Sequence, residues 1–268
     1  CRMVSTPDTR GMKELKNRLK KLDTIATRAQ FSQRLAEQSL NGSSGFFELY
    51  NSQDPKNSNM EIAFVDRGGM SLPDPDYYLK DDAKSKEVRV RYVEHVSKVM
   101  QIVGMNADDA DQMASNMLAF ETNLAKSALS KDERRDMEKL FHPTKFSELE
   151  KLVPVVDWKI YFKTLGIKAP KSVNVVEPEF LKKMNEWVEN MTPADRAGFL
   201  KFKLVHRSGY FIPGPLQQEE FAFWRAYLNG QKEMPPQWKY CTQVVAGNMG
   251  EALGQAYLAS IPGAKDIR

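Results

Sequence analysis

Two cysteines and three histidines are all that 268 residues hold of the side chains best suited to zinc and thiol chemistry. A catalytic zinc needs three protein ligands and an open position for water, most simply two histidines one helical turn apart with a carboxylate from elsewhere. His95, His142 and His206 are too scattered for that, and no His-Glu-x-x-His occurs. Each reads as a packing or surface residue: His95 beside the apolar stripe of a helix, His142 before Pro143 in a turn, His206 near the end of a basic helix. Cys1 and Cys241 lie too far apart in sequence for a local redox motif. A Gly-x-Ser-x-Gly elbow and a phosphate-cradling glycine loop are also missing. No apolar run approaches the ~20 residues of a bilayer span, so no transmembrane segment is expected. There is no internal repeat, low-complexity tract or long linker. The expectation is a chain with no catalytic residues, metal site or cofactor of its own.

What is present has the balance of a soluble globular protein, with 41% hydrophobic and 28% charged residues. The length suffices to bury a core without help from metal or disulfides. The formal charge of +4 comes from 39 basic and 35 acidic residues spread along the chain, so nucleic acid is not the indicated partner. The chain opens on Cys1 with no signal segment before it, and reads as a processed or excised piece. A mature lipoprotein would also begin with cysteine, but would run into a polar tether.

Apolar spacing predicts a mainly α fold. Over 83–103, Val88, Tyr92, Val96, Val99 and Val103 line one face, and Gly104 follows as a stop. Asn106, Asp108 and Asp109 then cap and charge the start of a second long helix whose stripe is Ala110, Met113, Met117, Phe120 and Leu124. Further helices are expected over 12–25, 28–40, 146–152, 157–165, 178–189, 193–206, 215–228 and 237–259, several with proline at the start. The strand signal is a hairpin, 46–50 and 60–65, joined by the polar stretch 51–59. That stretch and 260–268 are expected to be mobile. Asp74 with Asp76, and Asp108, Asp109 and Asp111, read as loop and helix caps before they read as a cation site. Gly247, Gly250 and Gly254 recur at helical spacing and read as packing glycines.

One segment is more specific. Gly68, Gly69, Met70, Ser71, Leu72, Pro73, Asp74, Pro75, Asp76, Tyr77, Tyr78 and Leu79 resemble the Gly-Gly-Leu-Gly-Leu-Pro-Asp-Arg-Asp-Tyr-Tyr-Leu run of the neprilysin and endothelin-converting-enzyme peptidases, family M13. Before it, Asp54, Lys56, Asn57 and Ser58 are similar to the family's Asp-x-Lys-Asn-Ser loop. After it come Phe120-Glu121-Thr122, Glu133-Arg134-Arg135-Asp136 and Asp157-Trp158, in the family's order. Pro236, Trp238, Lys239 and Cys241 then lead into a helix with Gly250, Glu251, Leu253, Gly254 and Tyr257, similar to the family's Leu-Gly-Glu-Ala-Leu-Gly-x-x-Tyr. Met70, Ser71 and Gln237 depart from the usual residues and read as tolerated changes.

The resemblance implies the helical, non-catalytic lobe of a two-lobed zinc endopeptidase, 1–268 forming one substrate-gating lobe over a thermolysin-like catalytic lobe. Zinc, its motif and the catalytic residues would belong to the parent protein beyond Arg268, and substrates would be peptides small or flexible enough to enter a closed chamber. It also implies a Cys1–Cys241 disulfide and an extracellular or cell-envelope location. Asn41-Gly42-Ser43 and Asn190-Met191-Thr192 are candidate glycan acceptors that fit such a location. The competing reading is a free-standing helical interaction module or inactive paralogue without the catalytic half. The loop 68–78 is expected to be ordered, with Leu72, Tyr77, Tyr78 and Leu79 as apolar anchors.

Overall fold

The computed structural model describes residues 9–43 and 45–261. Helices dominate: α1 (Thr9–Leu22), α2 (Arg28–Leu40), a short α3 (Asp76–Leu79), α4 (Ala83–Ile102), α5 (Ala107–Ala125), α6 (Phe146–Leu152), α7 (Trp158–Leu165), α8 (Pro178–Asn190), α9 (Pro193–Gly209), α10 (Pro215–Glu220), α11 (Gln237–Asn248) and α12 (Gly250–Ser260). Local chemistry sets the boundaries. Thr27 and Gln30 form a capping box at α2, Asn106 caps α5 by accepting from the Asp109 amide, and Gly104 turns the chain after α4 at φ +110°. Prolines occupy the first helical positions of α8, α9 and α10.

Four expectations are corrected. The first helix stops at Leu22, short of 25. The second concerns 51–59, which is ladder rather than loop: β1 (Phe47–Asp54) and β2 (Asn57–Arg67) pair antiparallel almost to their tips and turn at Pro55 and Lys56. The hairpin projects past the core there, so both faces are polar and period-2 alternation vanishes. Two short strands also escape sequence reading, β3 (Pro143–Lys145) and β4 (Ser172–Val175). They complete a four-stranded sheet in the order β1-β2-β4-β3, with β4 parallel to β2 and antiparallel to β3. The buried Asn174 side chain accepts from the His142 amide at 2.6 Å and donates to the Leu140 carbonyl at 2.8 Å, which holds β3 in register. Third, the segment after α10 continues as π-helix over Phe221–Tyr227. Fourth, 237–259 is two helices, broken at Met249. Of the mobile tail expected over 260–268, Ser260 ends α12, Ile261 follows it, and 262–268 lie outside the described residues.

One continuous group of buried side chains runs from Leu15 to Trp224. Its centre is aromatic. Phe46 stacks on Phe199 at 4.3 Å and meets Phe120 edge-on at 5.7 Å, while Phe47 leans on Trp158 at 4.9 Å. Because Phe46 immediately precedes β1 and Phe47 opens it, this cluster fixes the hairpin's base against α5, α7 and α9. The sheet's inner end therefore delivers the chain leaving β2 straight into the core.

A glycine loop clamped by a buried carboxylate

The chain leaves β2 through Gly68, where a side chain has no room: a Cβ would lie 2.8 to 2.9 Å from the backbone N, Cα and C of Phe47. Gly69 follows at φ +86°, a conformation that L side chains rarely adopt. These glycines let the loop cross under β1. Leu72 is then buried, and the Asp74 carboxylate accepts from the Asp76 amide at 2.8 Å to start α3. Asp74 also pairs with Lys131 at 2.7 Å, and Asp76 with Lys80 at 2.6 Å. Tyr77 packs against the core, whereas Leu79 is 43% exposed and is not the anchor expected of it. Arg89 of α4 donates to the Tyr77 and Lys80 carbonyls at 2.7 and 2.9 Å, tying down the loop's far end.

Tyr78 is the pivot. Its buried hydroxyl accepts from the amides of Ser71 (3.0 Å) and Leu72 (2.7 Å) and donates to Glu121 Oε2 at 2.7 Å. Ser71 Oγ donates to the other oxygen, Glu121 Oε1, at 2.6 Å and accepts from Lys203 Nζ at 2.7 Å. Lys203 Nζ stands 3.5 Å from Glu121 Oε1, completing a buried ion pair between α5 and α9. Burial, followed by the Glu121 charge, pushes the Tyr78 phenol well above its ordinary value. Burial also lowers the Lys203 ammonium, against the pull of Glu121. Tyr92 places its own buried hydroxyl beside Ser71 and Glu121 of the same group. Both Glu121 oxygens are engaged, so the cluster orders a loop and offers no free base. Three of the loop's four expected apolar anchors, Leu72, Tyr77 and Tyr78, pack inward.

A second polar cluster joins two histidines that lie far apart in sequence. Trp224 Nε1 donates to His95 Nε2 at 3.1 Å, which puts the ring proton of neutral His95 on Nδ1, 3.2 Å from Glu219. His206 Nδ1 lies 2.8 Å from the fully buried Glu220. Lys98 also pairs with Glu219. Burial raises the Glu219 carboxyl, but hydrogen bonds from His95 and Lys98 outweigh it and hold the group below the usual range. A carboxyl with a lowered folded-state pKa contributes stability above its unfolded value, and that contribution disappears as pH falls through the folded one. Glu219→Gln is therefore expected to destabilise the protein at pH 6, with the difference from wild type shrinking below about pH 4. Urea unfolding at both pH values reads this. A deficit independent of pH would contradict it.

The third network accounts for Arg134 of the Glu133-Arg134-Arg135-Asp136 motif. Arg134 forks onto Asp66 of β2 at 2.7 and 3.0 Å and also meets Glu177. Glu177 accepts from the Leu129 amide at 2.8 Å, while Arg67 donates to the Leu129 carbonyl at 2.7 Å. The 129–136 segment is thereby pinned across the sheet. His142 is a packing residue, its Nδ1 3.1 Å from the Val175 carbonyl.

Among the described residues no group of three or more His, Cys, Asp or Glu is arranged to hold a metal ion. Sequence reading expects close backbone packing at Gly247, Gly250 and Gly254; among the described residues a Cβ at each would meet nothing within 4 Å. Their helices expose Trp238, Val245, Met249, Leu253, Tyr257 and Leu258, and Glu251 is exposed too. Asn41 and Asn190 are exposed at helix ends. Cys1, half of the expected disulfide with Cys241, lies outside the described residues. No helix among the described residues is long and apolar enough to cross a membrane.

Comparison with known proteins places this geometry. Residues 1–266 match the N-terminal profile of peptidase family M13. Mouse endothelin-converting enzyme 1 is 29% identical over 220 residues, which cover 80% of this chain and 28% of that enzyme. Neprilysin-3 of Drosophila melanogaster is 26% identical, covering 77% and 28%. The chain thus spans less than a third of the curated relatives it matches. Among solved structures, the Mycobacterium tuberculosis zinc metalloprotease Zmp1 in its open state superposes with a TM-score of 0.88 at 24% identity, over 97% of this chain and 41% of Zmp1. PepO of Lactobacillus rhamnosis follows at 0.75 and 17%, over 96% and 41%. Both show the same mainly helical fold. With its glycine loop, buried Glu121 and Arg134 fork accounted for, the chain belongs to peptidase family M13, whose N-terminal domain it matches over residues 1–266.

Proposed function

We propose that the chain is the substrate-gating lobe of a zinc-dependent endopeptidase and acts by exclusion. The observation that carries this is the match of residues 1–266 to the family's N-terminal domain, joined to described residues that do not fit a zinc site. Zinc is then held by the other half of the same polypeptide, where it supplies Lewis-acid activation of water and the scissile carbonyl. The lobe's own residues do no chemistry. They build a rigid wall, held by the Glu121 clamp and the Arg134 fork, that leaves room for short or flexible peptides and rejects folded proteins. The exposed apolar face of α11 and α12 is the seat we assign to the catalytic half, since six large apolar side chains on two adjoining helices exceed what isolated surface residues explain. A Cys1–Cys241 bridge and an extracellular or cell-envelope setting, with Asn41 and Asn190 as glycan acceptors, complete the reading. Thiol titration of unreduced protein decides the bridge, two free thiols ruling it out.

The test of gating uses the full-length polypeptide and one cleavage sequence presented three ways: in a short peptide, in an unfolded chain, and in a loop of a stably folded domain. Cleavage is expected to fall in that order and to be lost in the folded domain. Equal rates on all three would end the exclusion reading. Gly254→Ala supplies a second arm. In this chain alone it is expected to stabilise α12 by about 0.5–1 kcal/mol, the helix-propensity gain of alanine over glycine. If the face seats the catalytic half, the same change lowers stability and activity in the full-length protein.

A further inference from the structure

Helix α1 has the most one-sided charge in the fold. Arg10, Lys13, Lys16, Arg18, Lys20 and Lys21 stand against the single acid Glu14. Leu15, Leu19 and Leu22 are buried, which leaves Lys13, Lys16 and Lys20 on the exposed side. Steps of three and four residues align these three ammonium groups over roughly 10 Å of helix. They rim a groove of 620 Å³ whose floor is Met12, Ile102, Ile212, Pro213, Pro215 and Leu216. Among the described residues no carboxylate lines that groove, and none of the three lysines has an ion-pair partner. Like charges at helical spacing destabilise a helix by about 0.2–0.5 kcal/mol per pair. The arrangement therefore costs the free protein something that a bound anion would return.

The volume lies in the range of built ligand sites, roughly 300–1,000 Å³. A single headgroup would engage one or two ammonium groups and leave the rest of the row unmatched. A row of three beside an apolar trough fits a ligand that repeats its negative charge and carries apolar groups between. We propose that the groove between α1 and the Ile212–Leu216 segment docks an acidic, apolar peptide segment, whose carboxylates meet Lys13, Lys16 and Lys20 while its apolar side chains fill the trough. The proposal does not depend on the gating reading, since it needs neither zinc nor peptide cleavage.

The probe is a fluorescein-labelled short peptide of alternating Glu and Leu. It is titrated by anisotropy into the full-length protein with a chelator present, so that no metallopeptidase activity consumes it. Saturable binding is expected at low salt, weakening at physiological salt. The triple variant Lys13→Gln, Lys16→Gln, Lys20→Gln should weaken it at least about tenfold, the loss of three modest charge contacts. Met12→Ser, on the half-buried floor, should weaken it as well, and unchanged circular dichroism confirms both variants as folded. A Gln-Leu peptide is expected not to bind. The proposal is overturned if the Glu-Leu peptide fails to bind, if the triple variant binds it as well as wild type, or if the Gln-Leu peptide binds equally. It is also overturned if only laurate, a single-chain anionic lipid, occupies the groove.

Discussion

Glu121→Ala is expected to destabilise the protein by about 3–5 kcal/mol, because it leaves the Lys203 ammonium buried without its counter-charge. The same change removes the acceptor for both Ser71 and Tyr78. With those bonds gone, no polar contact among the described residues holds the loop after Gly69 to α5. For a chain of this size the loss corresponds to a fall in Tm on the order of 10 °C. Lys203→Met should cost less, since the Glu121 oxygens keep their Ser71 and Tyr78 donors. The double variant Glu121→Leu with Lys203→Met should be closer to wild type than the sum of the single changes, as expected when a buried pair gives way to apolar side chains. Urea unfolding measures all of these. A Glu121→Ala variant within about 1 kcal/mol of wild type would mean the pair does not clamp the loop.

Gly68→Ala should be nearly as damaging, at about 2–3 kcal/mol or more, for a reason unrelated to φ. Its new methyl meets three backbone atoms of Phe47 at 2.8 to 2.9 Å, and backbone in a paired strand cannot step aside without breaking the β1–β2 ladder. Gly69→Ala brings backbone strain of roughly 1–2 kcal/mol at φ +86°, but its close contact at 2.8 Å is the tip of the Leu124 side chain, which can rotate. Gly166 isolates the conformational share, because it has φ +74° and open space around it. The expected order of damage is Gly68, then Gly69, then Gly166. Thermal melts of the three alanine variants report it, and a Gly68 variant milder than Gly166 would refute the steric account.

These residues also show what could be read in advance. The long helices were legible because each keeps an apolar stripe and a chemical stop, as α4 does with Val88 to Val103 and Gly104. The Gly68–Leu79 motif was legible as a likeness, but its physics was not. Ser71, read as a tolerated departure, turns out to bridge Lys203 and Glu121 with its hydroxyl. Lys203 was missed, although a signal existed: Phe199, Leu200, Phe202, Leu204 and Val205 make that part of α9 apolar nearly all round, so a lysine among them has no solvated face to occupy. The outer hairpin was missed because neither face is buried there, and β4 because four residues with a central asparagine carry no period. His95 and His206 read in sequence as separate packing or surface residues. Their convergence on Glu220 and Trp224 is tertiary and leaves no local trace in the sequence.

Zinc content and peptidase activity, measured together on residues 1–268 and on the full-length polypeptide, test the central claim most directly. The account predicts metal far below one per chain and no chelator-sensitive cleavage for residues 1–268, with both present in the longer protein. One tightly held zinc in residues 1–268, accompanied by cleavage that a chelator abolishes, would contradict it.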